Sequence, residues 1–114
     1  MGPYLGTPNK EKDVEDNSNS KFSYGACSMQ GWRKSQEDAH IASFLEDDLA
    51  VFGVFDGHGG KDVSILVEKI FVDRLQKNEA FKAKNYDRAL KELFYELDEF
   101  MLSEEGKRQL LKIH

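Results

Sequence analysis

An apolar run that stops in an acid, a histidine and three glycines constrains this chain more than any other stretch. It reads Leu49-Ala50-Val51-Phe52-Gly53-Val54-Phe55-Asp56-Gly57-His58-Gly59-Gly60. The Val- and Phe-rich part has the length and residue types of a buried strand. The glycines then permit a tight turn in which backbone comes close to a ligand. Asp56 leaves the end of a rigid element, where a metal ligand or a catalytic acid keeps its geometry. The same residues also suit a strand followed by an ordinary polar turn, because Asp-Gly is a common turn pair.

Two nucleotide-binding loops are excluded. A dinucleotide loop needs G-x-G-x-x-G, and Asp62 occupies its last position. A phosphate-binding P-loop needs glycine five residues before Gly60-Lys61 and Ser or Thr after it. Phe55 and Asp62 stand there instead.

A second cluster lies upstream, from Ser28 to His40. Arg33 offers a planar fork of donors suited to phosphate. Glu37 and Asp38 are adjacent acids at the start of an alternating stretch. Neighbours on a strand point to opposite faces, so at most one of the two faces a given site directly. A solvated charged turn is the plain alternative.

Met29-Gln30-Gly31-Trp32-Arg33, Glu37-Asp38-Ala39-His40 and Val54-Phe55-Asp56-Gly57-His58-Gly59-Gly60 together resemble the N-terminal motifs of the metal-dependent protein serine/threonine phosphatases, the PP2C or PPM family. The opening Met1-Gly2-Pro3-Tyr4-Leu5 and its spacing to Tyr24-Gly25 also look like family members. The resemblance implies an α+β fold, an α-β-β-α sandwich of two stacked antiparallel sheets covered by helices. Only its N-terminal strands and first two helices would be represented here. It implies two divalent cations, Mg²⁺ or Mn²⁺, with Asp56 bridging them, the Gly57 carbonyl a ligand and Glu37 ligating or orienting the same metal. Asp38 would act from behind, through water. Arg33 would hold the substrate phosphate, and His58 would protonate the leaving oxygen of a phosphoserine or phosphothreonine protein substrate. His40 is read as a strand residue with no catalytic part.

The family's later motifs, a Gly-Ser-Thr-Ala-type strand and two further metal-binding aspartates, do not occur in these 114 residues. Every acid after Asp62 falls in a helical pattern. The chain therefore resembles the first part of such an enzyme, inactive alone, and a catalytically silent fragment acting at most as a binding module is the alternative reading. The complete protein is expected to be a monomer.

A net charge of −5 leaves no basic patch to neutralise phosphates, which argues against nucleic acid as a partner. The longest apolar stretch is too short to span a bilayer. The N-terminus lacks an apolar signal region. One cysteine, Cys27, forms no internal disulfide and suits a small buried strand position in a reducing compartment. A cytoplasmic place is expected, with the nucleus or the membrane periphery as alternatives. Met1-Gly2 raises N-myristoylation, although Gly6 stands where the signal wants Ser or Thr. A single acyl chain would give only weak, reversible membrane association.

Residues 1–20 read as a flexible polar lead-in, and residues 21–114 as part of a phosphatase domain. Phe22, Tyr24 and Ala26 alternate as a first strand. Residues 38–45 and 49–55 follow as a hairpin about an acidic turn. Val63, Leu66, Val67, Ile70, Phe71 and Leu75 predict one helix. Tyr86, Leu90, Leu93, Phe94, Leu97 and Met101 predict a second, with Asn85 as its N-cap and Gly106 as its stop. Leu49–Phe55 is expected to be buried on both faces.

Overall fold

The computed structural model describes residues 4–58 and 60–114. The acylation reading at Gly2 and the middle glycine of the turn, Gly59, lie outside the described residues. Strands come first and helices follow, an α+β order. The chain divides into two compact units.

The first unit holds the residues up to Glu37 together with Ile41–Gly53. Strand β1 (Tyr4–Ser18) pairs antiparallel with β2 (Ser23–Arg33), with Val14 opposite Cys27 and Ser18 opposite Ser23. Asn19 makes the turn between them. Its Oδ1 accepts from the Lys21 and Phe22 amides at 2.8 and 2.7 Å. Where the sequence predicts a polar lead-in, the structure has a strand of 15 residues. Almost every side chain of β1 is exposed, so main-chain pairing with β2 makes the strand rather than an apolar pattern. Cys27 is exposed, not buried as its residue type suggests.

Strand β3 (Ala39–Glu46) and β4 (Leu49–Phe55) pair in a second two-stranded sheet about the Asp47-Asp48 turn, the expected hairpin. Aromatic rings fill this unit. Tyr24 meets Phe44 and Phe52 edge-on at 5.8 and 5.6 Å, and Phe22 stacks on Phe44 at 6.3 Å. Strand β4 is not buried on both faces: Phe52 is 53% exposed and Val54 74%. Its alternating exposure is that of a strand with one covered face.

The second unit comprises Asp38–His40 and Val54–His114. Helix α1 (Asp62–Lys77) and α3 (Tyr86–Leu102) carry its core, with Leu66, Phe71, Leu75, Ala89, Leu93 and Leu97 buried at helical spacing. Arg74 ties the two helices: Nη1 donates to Glu96 Oε1 at 2.8 Å, and its guanidinium lies 4.2 Å from the centroid of the Phe100 ring. A short helix, α2 (Glu79–Lys82), connects them, capped by Asn78, whose Oδ1 accepts from the Phe81 amide at 3.0 Å. Asn85 caps α3 as predicted.

Gly106 is not a stop. Helix α3 ends at Leu102, and α4 (Glu104–Ile113) runs through Gly106. Ser103 serves both helices: its amide and its Oγ donate to the Phe100 carbonyl at 3.0 and 2.6 Å, and Oγ accepts from the Gly106 amide at 3.0 Å. Gly106 is buried against the end of α3, where a methyl group would overlap the Phe100 carbonyl. The glycine is there for close approach, not for helix termination. Among the described residues no helix is long and apolar enough to cross a membrane.

Candidate active site

The last residue of β4 sets the site. Phe55 packs its ring on buried Phe71 of α1, centroids 5.3 Å apart. The chain then leaves the strand at Asp56, turns through Gly57 and His58, and enters α1 at Asp62. Gly60 has φ of +127°, a conformation that side chains disfavour, so the turn needs a glycine there.

Asp56, Gly57 and His58 line one open pocket of about 480 Å³. Its walls come from Val54, from Val63 and Val67 of α1, and from Phe94, Leu97 and Met101 of α3, with Asp98 adding a second carboxylate. The Asp56 and His58 side chains are 73% and 83% exposed. The His58 ring turns back on the chain. Nδ1 lies 3.3 Å from the Asp56 carbonyl oxygen and 3.8 Å from Asp56 Oδ1. A backbone carbonyl only accepts, so a hydrogen bond at that position has Nδ1 as its donor.

Asp38 belongs to the same unit and is exposed immediately before β3. Ala39 and Ile41 flank His40 and are buried. The His40 amide donates to Glu68 Oε2 of α1 at 3.3 Å.

Arg33 and Glu37 belong to the first unit. Arg33 is the last residue of β2, exposed, with its guanidinium carbon 5.9 Å from the Tyr4 ring centroid. Gly31, two residues earlier, has φ of +65° at a place where the β1–β2 register shifts. The irregularity re-aims the strand end that carries Arg33. Glu37 is half-buried and accepts from Ser35 Oγ at 3.3 Å.

The structure thus gathers Asp56, Gly57 and His58 at one pocket and holds Asp38 in the unit that contains it. Asp56 carries a carboxylate and Gly57 a backbone carbonyl, hard oxygens of the kind that suit hard divalent cations rather than soft metals. Among the described residues no group of three or more His, Cys, Asp or Glu side chains is placed to hold a metal ion. Sequence reasoning did not single out Asp98 or Glu68. Both sit in helical patterns that give an acid no distinguishing mark.

The chain matches the protein phosphatase 2C family over residues 22–112. The chain belongs to this family. It is 47% identical over 114 residues to "Probable protein phosphatase 2C 4" of Paramecium tetraurelia, covering 99% of this chain and 38% of that protein. It is 47% identical over 111 residues to "Protein phosphatase 2C 1" of the same organism, covering 96% of this chain and 37% of the relative. With "Probable protein phosphatase 2C 21" of Arabidopsis thaliana it shares 42% identity over 111 residues, 96% of this chain and 31% of the other. The chain therefore spans about a third of the length of these phosphatase 2C relatives.

Proposed function

We propose that this chain supplies the metal-binding and proton-donating part of a protein serine/threonine phosphatase. The carrying observation is the pocket at the end of β4 that Asp56, Gly57 and His58 line together. Membership of the phosphatase 2C family supports the same reading.

The ester bond of a phosphoserine or phosphothreonine is hydrolysed extremely slowly unaided. Two divalent cations, Mg²⁺ or Mn²⁺, would lower the pKa of a water and neutralise phosphate charge. Asp56 would hold both, with the Gly57 carbonyl and Glu37 completing this chain's share and Asp38 contacting them through water. Arg33 would grip two phosphate oxygens with its guanidinium fork and orient phosphorus for in-line attack. As a water oxygen bonds to phosphorus and the phosphorus–oxygen ester bond breaks, the seryl or threonyl oxygen would take a proton from His58, and the proton that the water gives up would pass to solvent, from which His58 is reprotonated. The products are inorganic phosphate and the free hydroxyl.

A binding module without catalysis is a second reading. It is favoured by the partial donor set among the described residues. The discriminating experiment expresses the longest reading frame containing these residues and assays it on phosphoserine and phosphothreonine peptides. Turnover with Mg²⁺ or Mn²⁺ that chelator abolishes is expected. Turnover unchanged in excess EDTA overturns the metal-assisted mechanism, and no turnover under any metal supports the binding module.

A further inference from the structure

We propose that Glu68 is a positioning residue that holds the Asp38 segment in register with the Asp56 turn. The proposal rests on the site reading above. Helix α1 touches both halves of the motif constellation from neighbouring positions. Phe71 packs on Phe55, the residue before Asp56, at 5.3 Å. Glu68, one turn earlier on the same helix, accepts the His40 amide at 3.3 Å, two residues after Asp38.

Residues three apart on a helix share a face, so one rigid surface carries both contacts. The two contacts differ in kind. Phe71 is 4% exposed and fixes β4 by packing. Glu68 is exposed, and its carboxylate contributes an acceptor to a backbone donor. Ala39 and Ile41 are buried on either side, so the side chains fix the rotation of this strand end. To the pairing of β3 with β4, the His40 amide adds a polar contact between this strand end and α1. An acid that reaches a metal through water tolerates little displacement, because groups behind the ligands orient them. Helix α1 thus works as a two-point clamp, apolar at Phe55 and polar at His40.

The test compares Glu68→Ala with Glu68→Gln in the longest reading frame containing these residues. Glutamine keeps an acceptor oxygen at the same reach, and alanine removes it. Three quantities are read: amide hydrogen exchange at His40, Mn²⁺ affinity by calorimetry, and thermal midpoint. Alanine is expected to speed exchange at His40 and weaken Mn²⁺ binding roughly tenfold, the lower end of what removing such a supporting contact costs. Glutamine should restore both to within about twofold of wild type. Unchanged exchange and affinity in Glu68→Ala overturn the proposal. So does a loss that glutamine shares equally, or a fall in thermal midpoint with affinity intact. If wild type binds no Mn²⁺, the site reading fails, and exchange at His40 alone decides whether Glu68 holds the strand.

Discussion

His58 Nδ1 lies 3.3 Å from the carbonyl oxygen of Asp56, while the Asp56 carboxylate lies beside the same ring at 3.8 Å. The two residues of the turn thus divide the proposed work. Asp56 would present an anion to cations, and His58, its Nδ1 against the Asp56 carbonyl, would protonate the leaving group. Asp56→Asn should therefore be the more damaging substitution, since it removes the charge proposed to hold the metals. His58→Ala should cost roughly 10²–10⁴-fold in kcat on phosphopeptides, the usual range for a lost general acid. On p-nitrophenyl phosphate, whose leaving group needs little protonation, that deficit should shrink. An equal deficit on both substrates would show that His58 only braces the turn.

The grouping of Asp56, Gly57 and His58 at one strand end was legible where chemistry shows in residue type. Asp56, Gly57 and His58 announced themselves by ending an apolar run, and the hairpin of β3 and β4 followed from alternation about an acidic turn. Strand β1 was illegible because its stability lies in main-chain pairing with β2, which leaves no apolar period along Tyr4–Ser18. Gly106 misled for a related reason. Glycine after an apolar helical stripe commonly marks a helix end, but here it allows one helix to cross the end of another beside Phe100. Glu68 carries no sequence signal, since an acid on an exposed helical position is the ordinary case.

Gly106→Ala should destabilise the fold despite alanine's better helix propensity. The propensity gain is about 1 kcal/mol. Against it stands the overlap of a methyl group with the Phe100 carbonyl, which forces α4 to move away from α3. Overpacking of a close contact typically costs about 1–3 kcal/mol, and backbone on both sides yields less readily than a side chain. A lower urea midpoint at unchanged slope, read in the longest reading frame containing these residues, is the expected result. A midpoint equal to or above wild type would mean that the α3–α4 junction is loose.

Glu92 should contribute to stability in a pH-dependent way. Its carboxylate accepts from Arg88 Nε at 2.9 Å and from Asn78 Nδ2 at 3.3 Å. The bond from Arg88 and then that from Asn78 hold its pKa below the ordinary glutamate value. A group depressed on folding contributes stability above its unfolded pKa, about 4.3, and loses that contribution as pH falls through the folded value. In the longest reading frame containing these residues, Glu92→Gln should therefore lower the thermal midpoint slightly near neutral pH, with the gap to wild type closing below about pH 4. The side chain is exposed to solvent, so the effect is small. A gap that stays constant from pH 7 to pH 3 would show that the carboxylate's charge contributes nothing.

These 114 residues by themselves are expected to lack both phosphatase activity and a cooperative fold. Among the described residues each sheet has two strands, which leaves unpaired strand edges. Two-stranded sheets need a packed face to persist in water. Yet Phe52 and Val54 of β4 stand more than half exposed, as do Phe94 and Tyr95 on α3. Apolar surface of this kind beside open strand edges favours aggregation or a loose compact state over a unique structure. The helices carry their own buried core, so far-ultraviolet circular dichroism should show helix even where tertiary order is missing. The purified chain should therefore unfold over a broad range in denaturant, bind a hydrophobic dye, and leave phosphopeptides intact with Mn²⁺ present. A soluble monomer with one sharp unfolding transition would overturn the folding prediction. Metal-dependent turnover by the same preparation would show that Asp56, Gly57, Glu37 and Asp38 suffice to hold a working metal pair without further ligands.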